Sequence, residues 1–275
     1  MEKYLIGGAI ALSVLSVFFL IFLFLIKPCG KRRERMKRFT EYKYAHRGLH
    51  DATRAENSLS AFKAAVEAGY AIELDVRLSS DGELVVFHDD TLERVTDKEG
   101  RVDERSAKEL SEIHLMGTND TIPTFAEVLS VVDGRVPLLV EIKEDAMKYG
   151  VTEKTAEMLR TYKGEFIVES FNPLALSLFK KLMPDTLRGV LSQNFLSQKK
   201  YRKPMYFLLE NLLLNVACRP DFIAFNHTDH KNCALRLTKK LFRTTTVAWT
   251  IRSKEEEEKA YKNGFSTVIF ENYEA

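Results

Sequence analysis

Between His46 and His88 the chain sets two histidines, an arginine and two carboxylates at or near the ends of strand-like runs. The runs are Tyr44-Ala-His-Arg-Gly-Leu-His-Asp, Ile72-Glu-Leu-Asp-Val and Val86-Phe-His-Asp-Asp. Successive side chains of a β-strand face opposite sides, so Glu73 and Asp75, two apart, point the same way and can share one cation. Leu138-Leu-Val-Glu-Ile-Lys repeats the device with Glu141 and Lys143. Carboxylate ligation suits a hard divalent ion such as Mg²⁺ or Ca²⁺ better than zinc. A hard ion beside Arg47, Lys143 and two histidines reads as phosphate chemistry. A fold that collects strand ends around one site is required.

The series His46-Arg-Gly, Glu56-Asn57, Glu73-Leu-Asp-Val, His88-Asp-Asp-Thr-Leu-Glu-Arg-Val-Thr, Glu141-Ile-Lys, Ser170-Phe-Asn and Trp249-Thr-Ile resembles the glycerophosphodiester phosphodiesterase family. Each motif alone is weak; their order is the specific signal. The resemblance implies a TIM-type (β/α)8 barrel and metal-dependent hydrolysis of glycerophosphodiesters to glycerol 3-phosphate and an alcohol. Within it His46 and His88 are the expected acid–base pair, since an imidazole titrates near neutrality. Glu73, Asp75 and Glu141 are the expected metal ligands; without a cation, three converging carboxylates would repel and raise at least one pKa. Arg47 and Lys143 are expected on the phosphate, Trp249 against the glycerol or an apolar part of the substrate, and Glu56 behind them as an orienting group. The family commonly has an Asp after its last strand; here Glu271 stands as the candidate substitute. His50, His114, His227 and His230 match no motif and are expected to be structural.

Tyr4 to Ile26 is 23 residues without a charge, and about 20 suffice to span a bilayer. A cleaved signal peptide has a shorter apolar core, of about 7–15 residues, after a positive start, so residues 4–26 are read as a retained anchor. Residues 27–40 are read as a basic juxtamembrane linker, because seven Lys or Arg lie at positions 27–38 and only Lys3 precedes the span. The positive-inside tendency then places the catalytic domain in the cytoplasm, and the same cluster could touch anionic headgroups. The net charge of +2 is thus a local basic patch over a slightly acidic remainder, which argues against nucleic-acid binding. No protein partner is implied. Three cysteines, none in a Cys-x-x-Cys spacing, suggest neither a disulfide scaffold nor a zinc site.

The remaining 41–275 is long enough for one barrel, which takes about 250 residues and as few as about 200. Strands are expected at 42–45, 71–78, 84–87, 136–142, 166–169, 187–191, 222–225, 246–251 and 266–270, and are taken to complete eight counted from Tyr42. Asn57 is expected to cap a helix over 58–68, and residues 89–121 to form an inserted lid bordering the site. Residues 195–218 mix Lys199, Lys200, Arg202 and Lys203 with a run of apolar residues. They read equally as an interfacial helix or as an outer barrel helix with a basic loop. Glu255 to Glu258 read as a solvated helix face. Two other functions stay open: a lysophospholipase D using the same site at the membrane, and a catalytically silent membrane protein that binds a phosphodiester or a partner.

Overall fold

The computed structural model describes residues 2–115, 117–144, 150–201 and 203–275; Arg202, expected in the basic loop, lies outside them. Helices α1 (Glu2–Ile26) and α2 (Arg33–Phe39) come first, followed by β1 (Tyr44–His46), α3 (Leu59–Ala68), β2 (Ala71–Leu78) and β3 (Leu84–Val86). Then come α4 (Ala107–Ser111), α5 (Phe125–Val132), β4 (Leu138–Ile142), α6 (Val151–Thr161), β5 (Phe166–Ser170), α7 (Pro173–Leu182) and β6 (Arg188–Ser192). The chain ends with α8 (Pro204–Glu210), α9 (Asn215–Cys218), β7 (Phe222–Asn226), α10 (Cys233–Phe242), β8 (Thr245–Ile251), α11 (Lys254–Lys262) and β9 (Thr267–Phe270). Strands β1, β2, β4, β5, β6, β7, β8 and β9 pair in that order, all parallel, and β9 returns to β1. This is a closed TIM-type barrel.

The expected strand at 84–87 is not a barrel member. It is β3, which pairs antiparallel with the far end of β2, Val76 to Leu78, through the turn at Gly82. The sequence offered nine strand-like runs for eight places, and a two-strand hairpin accounts for the surplus. A turn this short can join only antiparallel neighbours.

Period-two alternation builds the barrel interior. Tyr44, Ala71, Leu139, Ile167, Leu187, Leu191, Phe222, Ala224, Val247 and Ile269 form one buried cluster inside the barrel, of which Leu191 and Ile269 reach the mouth. Two residues further along the same faces stand Glu73 and then Asp75 after Ala71, Glu141 after Leu139, and Glu169 after Ile167. Inward side chains therefore change from apolar to acidic towards the C-terminal mouth.

The other end is closed by the segment expected as a linker. Met36 and Phe39 of α2 join the interior cluster, and the Tyr44 hydroxyl donates to Phe39 O at 2.9 Å. Four of the basic residues tie this segment to the loops and the helix end that precede strands. Arg32 pairs with Asp221 and donates to Thr186 O, Arg35 donates to Asp185 O, Arg38 pairs with Glu165, and Arg33 reaches Phe242 O. Full burial of a side chain such as Met36 is worth roughly 1.5–3 kcal/mol.

Asn57 does not cap α3. Ser58 does, its Oγ accepting from Ala61 N, while Asn57 adopts φ +56 and donates Nδ2 to Asp75 at 2.9 Å. Asparagine tolerates the left-handed region, which frees its amide for the site. Glu257 is likewise not on a solvated face: it is buried and accepts from Lys43 Nζ and the Tyr273 hydroxyl. Residues 89–121, apart from 116, carry α4 and hold a small apolar core of their own with Val85 and Phe87, including Leu92, Leu110 and Leu115. Among the described residues of 195–218 are the short α-helices α8 and α9; α9 packs in the outer layer against α7 and α1, whereas α8 buries none of its residues.

Candidate active site

The turn after β1 is tight. Arg47 and Gly48 have φ +57 and +82, and a Cβ on Gly48 would lie 2.9 Å from Ala61 of α3. Glycine is required there. The turn aims the Arg47 amide at Glu73 Oε2, 3.1 Å away, and leaves His46 at the strand end. Parallel register sets His46 beside Glu73, Asp75 beside Glu141 and Glu141 beside Glu169.

Oxygens of Glu73, Asp75 and Glu141 lie within 4.8 Å of one another, and all three residues are buried. Lys143 Nζ is 3.0 Å from Asp75 Oδ1 and 2.7 Å from Glu141 Oε1; Arg47 Nε is 3.3 Å from Asp75 Oδ2. Burial raises Asp75, but Lys143 and Arg47 outweigh it and hold the carboxyl well below its usual range. Glu73 goes the other way: burial, then the charges of Asp75 and Glu141, push it well up. Glu141 is raised by burial, partly offset by Lys143. Two cations thus fail to neutralise the acidic group, and Glu169 adds a fourth buried carboxylate whose Oε2 has no hydrogen-bond partner among the described residues. Burial and then Glu73 and Glu141 raise Glu169 well above its ordinary value. An all-oxygen, charge-excess cluster of this kind fits a hard divalent ion.

Both histidines are held through Nδ1. His88 Nδ1 is 2.6 Å from Asp89 Oδ1, and His46 Nδ1 is in hydrogen-bond contact with Glu271 Oε2. Each ring therefore keeps Nε2 for other work. Glu271 is positioned by Arg252 Nε at 2.7 Å, and Asp89 by Arg94. Burial lowers His46 to about 4 despite Glu271. Arg94 also donates to both oxygens of Glu56, which accepts from Arg47 Nη1 at 2.7 Å. A cavity of about 210 Å³ opens among these groups, lined by His46, His88, Glu73, Glu141, Glu169 and Trp249.

The family model for the glycerophosphoryl diester phosphodiesterase family matches residues 46–275. The chain belongs to this family. A glycerophosphodiester phosphodiesterase of Caldanaerobacter subterraneus subsp. tengcongensis is 31% identical over 251 residues, covering 84% of this chain and 93% of that protein. Another, of Bacillus altitudinis, is 36% identical over 167 residues, 56% of this chain and 68% of its own. Among solved structures, an Oleispira antarctica phosphodiesterase in complex with the product sn-glycerol-3-phosphate superposes with a TM-score of 0.70 at 25% identity, over 86% of this chain and 94% of that one. Membership makes the protein a phosphoric diester hydrolase.

In this phosphodiesterase all nine residues expected from the sequence converge on the strand ends. The carboxylates that hold the histidines were less visible. Asp89 stands in the His88-Asp-Asp motif with nothing local to mark it as a partner of the histidine, and Glu271 is visible only as a candidate substitute for an Asp. Glu169 was missed, although its place two residues after Ile167 on an inward strand face was the available signal. His50, expected to be structural, lies at the rim with Nε2 4.0 Å from Glu271. Trp249 packs edge-on against Phe171 at 5.6 Å while its ring lines the cavity.

Proposed function

We propose that the chain hydrolyses glycerophosphodiesters to glycerol 3-phosphate and an alcohol, with His46 and His88 as the acid–base pair. The observation that carries this reading is the pairing of each histidine with a carboxylate at Nδ1, in two rings that line one cavity beside an acidic cluster. One ring takes the proton of the attacking oxygen at Nε2; the other gives a proton to the leaving alcohol. Glu73, Asp75 and Glu141 hold a divalent ion, Mg²⁺ or Ca²⁺, which when bound supplies Lewis-acid polarisation of a phosphoryl oxygen. Lys143 keeps one of its three N–H donors beyond Asp75 and Glu141, and Arg47 the donors beyond Glu56 and Asp75, for the phosphate. Trp249 bounds the glycerol side. The product held by the Oleispira relative supports the assignment of glycerol 3-phosphate.

The reading places α1 across a membrane as a single-pass anchor. Tyr4–Ile26 is the only helix among the described residues long and apolar enough to cross, and the basic residues that follow it favour a cytoplasmic barrel. Retention of the full chain in carbonate-washed membranes, with the barrel accessible to protease only from the cytoplasmic side, tests both points. Lysophospholipids are a second substrate class, favoured by the aromatic residues that continue outward from Trp249. Turnover of glycerophosphocholine with and without divalent ion tests the primary reading.

A further inference from the structure

We propose that the outer face of the β6–β7 connection, centred on Leu196, Met205 and Phe207, lies in the headgroup region of the bilayer that holds α1. Behind it, a row of aromatic side chains guides the apolar chain of an amphipathic phosphodiester to the catalytic cavity. The proposal rests on the reading of α1 as a membrane anchor.

Four large apolar side chains are exposed in this one sector: Leu174 by 60%, Leu196 by 45%, Met205 by 53% and Phe207 by 50%. Single exposed apolar residues are ordinary on a protein surface, but a cluster marks a contact. Exposed Lys199, Lys200 and Lys203 accompany it, and Lys200 Nζ stands 4.7 Å over the Tyr201 ring. Apolar groups fringed by lysines match the anionic, half-apolar boundary of a bilayer.

The attachment of α1 is an independent observation that selects the bilayer as the occupant. Asn215 Nδ2 donates to Ile26 O at 3.1 Å, and Arg219 Nη1 donates to Phe24 O and Lys27 O, both at 2.8 Å. Asn215 and Arg219 belong to the same β6–β7 connection that carries Leu196, Met205 and Phe207. Leu174 opens α7, which packs on α9. Anchor and apolar patch therefore share one strip of the barrel wall.

From this strip the aromatics run inward. Tyr201 and Tyr206 lie 5.3 and 5.4 Å from Phe195, Phe195 lies 6.1 Å from Phe171, and Phe171 lies 5.6 Å from Trp249. The cavity of about 210 Å³ is smaller than the roughly 300–1,000 Å³ that encloses a drug-sized ligand. A glycerophosphate group fits inside, and a long chain must lie along the row.

The test uses the full chain in vesicles of phosphatidylcholine and phosphatidylglycerol. With Trp249→Phe and Phe207→Trp the single indole reports on the patch without reference to activity. Brominated-tail phospholipids are expected to quench it. In the otherwise unaltered chain, Met205→Asp with Phe207→Asp is expected to raise KM for vesicle-borne lysophosphatidylcholine about tenfold, with soluble glycerophosphocholine unaffected. An unquenched indole in a chain that resists carbonate overturns the bilayer contact and leaves a protein as the partner of the patch. Equal effects on both substrates overturn the path. Release by carbonate overturns the anchor and the contact with it, whereas quenching without any hydrolysis overturns the assigned activity and upholds the contact.

Discussion

His88 Nδ1 lies 2.6 Å from Asp89 Oδ1, and its counterpart in His46 is held by Glu271 from the end of the neighbouring strand β9. An ionised carboxylate only accepts, so each Nδ1 donates to its carboxylate and Nε2 is left to exchange a proton with the substrate, taking one in one ring and giving one in the other. Burial raises Asp89, but its bonds to His88 and Arg94 together outweigh this and hold it well below its usual range, and Glu271 is lowered to about 2 against burial by its bond to His46. Both orienting groups therefore stay charged near neutral pH.

Asp89→Asn and Glu271→Gln keep the shape and lose the charge that fixes the tautomer. Each is expected to lower kcat about ten- to a hundredfold with little change in KM, against about a hundredfold or more for the histidine itself. Steady-state kinetics on glycerophosphocholine check this; an unchanged kcat would remove the orienting role.

Glu56 gives the pH dependence. Burial raises it, but Arg94 and Arg47 outweigh this and bring it from 4.5 to about 2. A carboxylate depressed in the folded state stabilises fully above its unfolded value, and that contribution is lost as the pH falls from about 4.5 towards 2. The full contribution is on the order of 2–3 kcal/mol, so Glu56→Gln should flatten the acid side of the stability curve. Denaturant unfolding at stepped pH measures it, and parallel curves for the two proteins contradict it.

Removal of residues 1–40 should do more than release a tether. It strips Met36 and Phe39 from the interior cluster and the Arg32–Asp221 pair from the loops below the strands. A fragment beginning at residue 27 should melt cooperatively, whereas one beginning at 41 should aggregate or melt far lower. Met36→Ala alone should cost about 2–5 kcal/mol. Equal melting temperatures for the two fragments would show that α2 is dispensable.

Divalent ion should raise the melting temperature of the full chain in proportion to the logarithm of its concentration, and EDTA should reverse the effect. Asp75→Asn should abolish the response, since Asp75 is the cluster member held most firmly ionised. A variant that still responds would place the ion elsewhere.

The inward carboxylates were legible because a strand repeats every two residues: Glu73, Asp75 and Glu141 announce themselves by spacing alone. Boundaries of β2 and α7 were legible for similar reasons, a strict alternation of apolar and charged residues in one and Asn172-Pro173 at the start of the other. What sequence could not reveal is pairing direction and long-range docking. Leu84–Val86 has the composition of a barrel strand, and only its short turn to β2 makes it a hairpin. Arg32, Arg33, Arg35 and Arg38 look like a charge cluster because their partners lie between about 125 and 210 residues away in sequence. Glu257 sat among four glutamates, and nothing local says that one of them meets Lys43 and Tyr273.

The most direct measurement is release of glycerol 3-phosphate from glycerophosphocholine by the full chain, His46→Ala and His88→Ala, each in EDTA and after readdition of Mg²⁺ or Ca²⁺. The account predicts release by the unaltered chain only with divalent ion, and a loss of at least about a hundredfold in both variants although they fold and melt normally. Undiminished release by either variant, or by the unaltered chain in EDTA, would contradict it.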